Sequence, residues 1–214
     1  MIMERKTMMM KEYEYKFVLR KDELEQIENC LCSGKPRYIS QTNYYYDTED
    51  YTLDKAKITC RIRESNNKLN GTIKIHGKTV ESGNVEIPIK VNQVTERLNI
   101  GDIGLNLMGA LHTERREFDF PDGLKLVLDE NTYLGTSDCE LELEFTDKTK
   151  EAADKLMKNI EFCLYQYCIM SSYDASYYNN CEHKSKSERF MAIHKKMKNS
   201  ANTIVISVKG GDLK

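Results

Sequence analysis

Missing from this sequence is any glycine-rich phosphate loop. Neither GxGxxG nor GxxxxGK[ST] occurs, which excludes the strand–loop–helix nucleotide sites that those patterns build. No apolar run is long enough to cross a bilayer or to form the core of a signal peptide. A soluble cytoplasmic protein with no membrane partner is predicted. Cysteine is present, but without CxxC pairs or ligand-spaced Cys/His clusters. The seven are Cys30, Cys32, Cys60, Cys139, Cys163, Cys168 and Cys181. Their odd number and apolar surroundings read as free thiols in a reducing compartment. Neither charge sign predominates: 32 Lys and Arg stand against 34 Asp and Glu, for a net charge of −2. No overall basic field points to a nucleic-acid partner. Internal repeats and low-complexity segments are also absent.

What is present is alternation. In Lys11–Val18, strand geometry puts Glu12, Glu14 and Lys16 on one face and Tyr13, Tyr15 and Phe17 on the other. Carboxylates two residues apart on a strand lie about 6.5–7 Å from each other. With an amine beyond them, they can hold a divalent metal beside an anion. The same pattern also suits an amphipathic strand with a solvated charged face.

Later segments repeat it. Arg37–Asp47 reads as a strand. In Ile58–Glu64, Arg61 and Arg63 oppose Ile58, Cys60 and Ile62. In Gly71–His76, Lys74 opposes Ile73 and Ile75, and in Val85–Ile89, Glu86 opposes Val85, Ile87 and Ile89. Pro88 there suits an edge strand. Thr113–Phe120 carries Arg115 and Arg116, which face opposite ways. Leu124–Asp129 sets Leu124, Leu126 and Leu128 against Lys125, Val127 and Asp129. Cys139–Phe145 sets Glu140, Glu142 and Glu144 against leucines. Residues 92–111 are less regular and read as short helices and loops.

Helices are predicted over Asp22–Cys32, from Ala153 to Leu164, and after Ser185-Lys186-Ser187-Glu188, which has the form of a capping box. One unit therefore spans residues 1–198. A tail, 199–214, carries an apolar patch at Ile204, Val205, Ile206 and Val208; it reads as an extra strand, a partner contact or a disordered end.

About eight strands joined mainly by short turns give an antiparallel sheet. Two arrangements are then open. The charged faces can lie outside a sandwich, or they can line the inside of a barrel clad by helices on its apolar face. The distribution of sign favours the barrel. Bases cluster in the middle strands (Arg61, Arg63, Lys74, Arg115), and acids in the first and last (Glu12, Glu14, Asp129, Glu140, Glu142, Glu144). Guanidinium forks bind phosphate oxygens, while clustered carboxylates bind Mg²⁺ or Mn²⁺. The four histidines are scattered and read as packing or surface residues.

Glu12-x-Glu14-x-Lys16 resembles the ExExK signature of the CYTH superfamily, the triphosphate tunnel metalloenzymes. In order with Tyr45-Tyr46-Asp47-Thr48, Arg61-x-Arg63, Lys74, Glu86, Arg115, Leu128-Asp129 and the last Glu-x-Glu strand, the resemblance covers about Lys11 to Met197. It implies an α+β fold, a closed eight-stranded antiparallel β tunnel with flanking helices. It also implies metal-dependent hydrolysis of inorganic triphosphate, or of a nucleoside or thiamine triphosphate. A catalytically silent polyphosphate-binding module and a class IV-type adenylate cyclase are the alternatives.

Carried over, Glu12 and Glu14 would bind Mg²⁺ or Mn²⁺ with Glu142 and Glu144, and Glu140 as an additional liner. Asp129 matches an acidic position that would hold a metal-bound water, and Glu12, Glu14, Lys16 and Asp129 are the catalytic residues that the resemblance implies. Lys16, Arg61, Arg63, Lys74 and Arg115 would grip phosphates. Lys186 and Arg189 resemble a basic motif closing one tunnel mouth.

Overall fold

Strict alternation over many short segments leaves one face of a sheet apolar and the other charged, so helices must cover the apolar side. The computed structural model describes residues 12–77, 85–171 and 184–209, with side chains except at 12, 168–171 and 201–209. Nine strands form one sheet: β1 (Glu12–Leu19), β2 (Arg37–Asp47), β3 (Ile58–Ser65), β4 (Lys68–Ile75), β5 (Val85–Ile89), β6 (Arg97–Ile100), β7 (Ile103–Asp119), β8 (Lys125–Tyr133) and β9 (Thr136–Thr146). The order is β1-β9-β8-β7-β2-β3-β4-β5, with β6 paired only to β7. Every neighbouring pair is antiparallel.

The predicted α+β architecture is present as a curled half-barrel of eight strands with flanking helices. Full closure is not: among the described residues, β1 and β5 end the hydrogen-bonded path without pairing to each other. β5 is only five residues long and carries Pro88, a residue that sheets confine to their edges.

The helices are α1 (Lys21–Leu31), α2 (Thr52–Lys55), α3 (Lys150–Ser171) and α4 (Lys186–Lys209). None of the described helices is long and apolar enough to cross a membrane. α1 and α3 clad the convex face. Leu24 and Ile27 of α1, with Ala153, Leu156, Met157, Ile160 and Leu164 of α3, pack on Leu126, Leu128, Leu141, Leu143 and Phe145. Burying one such aliphatic side chain is worth roughly 1.5–3 kcal/mol. A second cluster holds Tyr46, Cys60, Ile62 and Leu105 on the convex face of the other half.

Three readings need correction. Within residues 92–111, read as short helices and loops, Arg97–Ile100 and the first half of Ile103–Asp119 form a hairpin of strands, and the strand expected at Thr113–Phe120 is the second half of β7. The pattern was obscured by a bulge: Tyr45 pairs with Gly109 and Tyr46 with Leu107, leaving Met108 as an extra residue. The bulge reverses which residues face inward. Leu105 and Leu107 therefore pack outward, whereas Leu111 packs with Tyr45 and Phe190. Helix α3 runs on through Ser171, past Leu164 where the apolar spacing stops. Finally, residues 199–209 continue α4 as helix rather than adding a strand. No helix-breaking residue stands between Glu188 and Lys209, so local propensity carries the helix on.

α4 starts with the expected capping box. The Ser185 N–H donates to Glu188 Oε2 at 2.8 Å, and the Glu188 N–H donates to Ser185 Oγ at 3.3 Å. Its second turn lays Phe190 and Met191 onto Tyr45, Tyr133 and Leu111, plugging one end of the sheet.

Cys30, Cys32, Cys60, Cys139 and Cys163 are free thiols; the side chains of Cys168 and Cys181 lie outside the described residues. Burial pushes the Cys60 thiol up to about 12 and Cys139 up to about 11, which keeps both unreactive near neutrality.

The bulge sets a test. Gly109 has φ +138°, and a Cβ there would lie 3.1 Å from Phe190 Cζ. Gly109→Ala should cost about 1–3 kcal/mol, read as a lower midpoint in urea unfolding. An unchanged midpoint would show that the backbone at this position is under no such constraint.

Candidate active site

Strand β9 places the acids. Its alternation sends Leu141 and Leu143 into the convex core and Glu140 and Glu142 onto the concave face. Glu140 pairs in register with Asp129 of β8, and Glu142 with Lys16 of β1. Glu140 and Asp129 are 0% exposed, so their charges must be neutralised locally.

Four cations do this. Lys16 Nζ lies 3.2 Å from Glu14 Oε1, 3.3 Å from Glu140 Oε1 and 3.0 Å from Glu142 Oε1. Lys186 Nζ, from the first turn of α4, lies 2.8 Å from Asp129 Oδ2, 2.6 Å from Glu140 Oε1 and 3.0 Å from Glu142 Oε1. Arg115 grips Asp129 with two bonds of 2.8 and 2.7 Å and reaches Glu142 Oε2 at 3.0 Å. Arg189 grips Asp138 at 2.7 and 3.0 Å and Glu140 Oε2 at 2.5 Å.

The protonation states follow from this packing. Burial opposes ionisation of Glu142, but Lys186, Lys16 and Arg115 overcome it and hold its pKa well below the ordinary value. Burial raises Glu140, with Lys186 and Lys16 pulling the other way. Burial would also discharge Lys16 and Lys186, yet Glu142 and Glu140 keep both raised.

Across the concave face the balance is different. Arg61 of β3, with Arg63 beside it on that strand, and Lys74 of β4 meet at Glu86 of β5, the one carboxylate that Arg61 and Lys74 share. It lies 3.3 Å from Lys74 Nζ and 3.9 Å from an Arg61 amino nitrogen. Glu86 is half exposed; burial pushes it up, but Lys74 and Arg61 outweigh that and lower it. Arg63 makes no ion pair among the described residues; its Nε donates to Asn43 Oδ1 at 2.9 Å. Burial, then repulsion by Arg61 and Arg115, lowers its pKa to about 10. Arg61 Nε is buried with no hydrogen-bond partner among the described residues. One wall is thus neutralised within the protein, and the other still lacks negative charge.

Most of the residues expected at the site converge here. Arg115 faces inward, whereas Arg116 faces outward, 3.0 Å from Glu28 and 2.8 Å from Glu130. Glu144 stands apart: it meets Lys125 at 3.2 Å, and burial raises its pKa. The Glu12 side chain lies outside the described residues, although its backbone pairs with Thr146. Sequence reasoning missed Asp138, which receives Arg189, Asn131 and Tyr133. It also missed Glu117, which receives Arg37 and lies 3.7 Å from Arg115. Both share the inward parity of their strands, a signal that could have found them. The histidines are local partners: His76 to Thr59, His112 to Thr42 and Glu114, His194 to Tyr51. His183 lies outside the described residues.

The donor chemistry fits a hard cation. Three carboxylate oxygens converge on the Lys16 ammonium, and oxygen donors are what Mg²⁺-class ions take. Among the described residues, no three acidic, histidine or cysteine side chains stand together as a ready-made shell. The carboxylates are held by ammonium and guanidinium groups instead.

A curled antiparallel sheet with a charged concave face defines the β-tunnel class. The family described as the CYTH domain matches residues 10–168, and the chain belongs to it. Among known proteins it is similar to "Putative triphosphatase YjbK" of Bacillus subtilis (strain 168), 28% identical over 165 residues, covering 69% of this chain and 85% of that one. Two solved structures share the fold. One, described as a putative adenylate cyclase from Bacillus halodurans, has a TM-score of 0.58 and 22% identity, covering 85% of this chain and 97% of that chain. The other is HpAC1 from Hippeastrum, described as a putative adenylyl cyclase with a dominant triphosphatase activity. It has a TM-score of 0.54 and 20% identity, covering 71% of this chain and 88% of that chain.

The buried cluster predicts a pH-dependent variant. Lys186→Met removes one of the cations that hold each of Glu140, Glu142 and Asp129 and should cost up to about 3–5 kcal/mol near neutral pH, the value for a buried charge left fully unpaired. The depressed pKa of Glu142 contributes stability that is present above its unfolded value of 4.5 and lost as pH falls toward the folded value. Removing Lys186 raises that folded pKa, so the deficit should narrow as unfolding is measured below pH 4.5. A deficit independent of pH would mean that packing, not charge, is what Lys186 supplies.

Proposed function

We propose that this protein hydrolyses inorganic triphosphate, or a related nucleoside or thiamine triphosphate, on the concave face of its sheet. The observation that carries this reading is the under-neutralised wall of Arg61, Arg63 and Lys74 facing a wall of buried carboxylates. A linear triphosphate is a compact polyanion that meets such a demand. The name of the Bacillus subtilis relative supports the same chemistry.

In this reading Arg61, Arg63 and Lys74 hold non-bridging phosphate oxygens, with Arg115 at the junction of the two walls. Guanidinium groups suit this because their fork matches two oxygens at once. Charge that develops on those oxygens meets donors already in place, the largest contribution in many phosphoryl transfers. Lys186, against Asp129, Glu140 and Glu142, and Arg189, against Asp138 and Glu140, anchor α4 across one end. The family implies a divalent metal, which we read as Mg²⁺ or Mn²⁺, held by Glu14 and Glu142 with Glu12, Glu140 and Glu144 as further candidates. When bound, such an ion offsets phosphate charge and lowers the pKa of water. Asp129 lies beside this set and fixes Arg115. The substrate is a small molecule; the reading involves no nucleic acid or membrane and places the enzyme in the cytoplasm.

The test is phosphate release from inorganic triphosphate, ATP and thiamine triphosphate with Mg²⁺, Mn²⁺ or EDTA. Release should require the metal and be abolished by Glu14→Gln. Arg63→Ala should lose about 1.5–3 kcal/mol of transition-state stabilisation, read from kcat/KM. Tight binding without release would make the protein a polyphosphate-binding module, and cyclic AMP formed from ATP would replace the hydrolase reading with a cyclase.

A further inference from the structure

Two uncharged side chains on β2 share the concave face with the charged walls. Gln41 and Asn43 are 5% and 0% exposed, yet Gln41 Nε2 and Asn43 Nδ2 have no hydrogen-bond partner among the described residues. For Asn43 the identity of the free atom is fixed by chemistry. Its other side-chain atom receives the Arg63 Nε–H, and a guanidinium can only donate, so that atom is the oxygen. A buried donor left unmade is costly and rare.

The register shows where these donors stand. Asn43 pairs with Arg63 of β3, and Ile39 pairs with Arg115 of β7. Gln41 occupies the rung between them, opposite Thr113. Same-face residues on a strand are about 6.5–7 Å apart, so the Gln41 amide lies one step from each guanidinium rung. The opposite rung partners are already satisfied: Thr113 Oγ1 donates to Asn131 Oδ1 at 2.7 Å, and Asn131 Nδ2 donates to Asp138 Oδ1 at 2.9 Å. On the concave face these unmade amide donors therefore lie on the β2–β3 side, where Arg61 Nε is also without a hydrogen-bond partner among the described residues. Three buried N–H donors on the same face of β2 and β3 call for an acceptor that the described residues do not provide.

We infer that Gln41 and Asn43 form a neutral donor subsite that hydrogen-bonds the phosphate oxygens of the bound substrate between Arg63 and Arg115. This rests on the triphosphate reading above and adds to it two binding residues without charge. Neutral amides select for oxygen position rather than for net charge, so the subsite fixes where along the channel the phosphate chain lies. Asn43 has a second role, holding the Arg63 guanidinium in plane.

Gln41→Met and Gln41→Glu test the inference in the full-length protein. Binding of inorganic triphosphate is measured by calorimetry in Mg²⁺ and in EDTA, and melting without ligand is measured alongside. Gln41→Met keeps the length of the side chain but removes the donor. Affinity should fall about tenfold, the cost of one hydrogen bond to a charged group, with melting unchanged or raised because no protein bond is lost. Gln41→Glu sets a carboxylate against the phosphates and should weaken binding further. Wild-type affinity in both variants overturns the subsite. Lower melting with wild-type affinity in Gln41→Met also overturns it, because the amide would then serve the fold. If Gln41→Met does not fold, the Gln41→Glu affinity decides alone. Failure of the wild-type protein to bind triphosphate under either condition would instead sink the function proposed above.

Discussion

Glu140 and Glu142 sit inside the protein because four cations from three other elements reach them. Lys16 comes from β1, Arg115 from β7, and Lys186 and Arg189 from α4. Leaving any one carboxylate unpaired in such a place costs several kcal/mol. The cluster therefore ties the first strand, the longest strand and the last helix to a single strand, β9. Apolar burial on the convex face supplies the bulk of the driving force, but it is non-directional. The charges help fix which residues of β1 stand opposite β9, which residue of β7 reaches past β8 to it, and where α4 begins.

That arrangement makes the two walls unequal. The acidic wall is neutralised by Lys16, Lys186, Arg115 and Arg189, while among the described residues Arg61 and Lys74 share half-exposed Glu86 and Arg63 has no ion pair. Arg63 records the imbalance: burial and two neighbouring guanidinium groups pull its pKa down to about 10. Groups held close against their own repulsion are preorganised for an anion, and none of that reorganisation is left for the moment of reaction. The fold thus neutralises the charge of one half internally and leaves that of the other half less fully paired among the described residues.

Much of this was legible in the residues. Alternation in β3, β8 and β9 gave the right faces to Arg61, Arg63, Asp129, Glu140 and Glu142, because period two survives wherever a strand is regular. It failed where the strand was not regular. Met108 is an extra residue opposite Tyr45 and Tyr46, and one insertion is enough to make a 17-residue strand look patternless. Residues 199–209 misled for another reason: Ile204, Val205, Ile206 and Val208 favour a strand locally, but they follow a capped helix with nothing to end it. Sheet closure could not be read at all, since no local pattern encodes whether two edges meet. Gln41 and Asn43 went unnoticed because a search by charge overlooks neutral amides, although their parity matches that of the basic residues beside them.

The bulge that hid β7 also connects the apolar plug to the charged channel. Before it, Leu105 and Leu107 face outward into the cluster around Tyr46 and Ile62. After it, Leu111, Thr113 and Arg115 face inward, Leu111 against Phe190 of α4 and Arg115 against Asp129. Without the extra residue, a continuous strand would place either the leucines or the arginine on the wrong face. Gly109 permits the turn of phase because its φ of +138° is one that side chains rarely adopt, and Phe190 fills the space that a side chain would need. The same short stretch thus seats α4 and aims Arg115. Seating α4 is also what brings Lys186 onto Glu140, so the plug, the bulge and the buried carboxylates form one mechanical unit and do not vary independently.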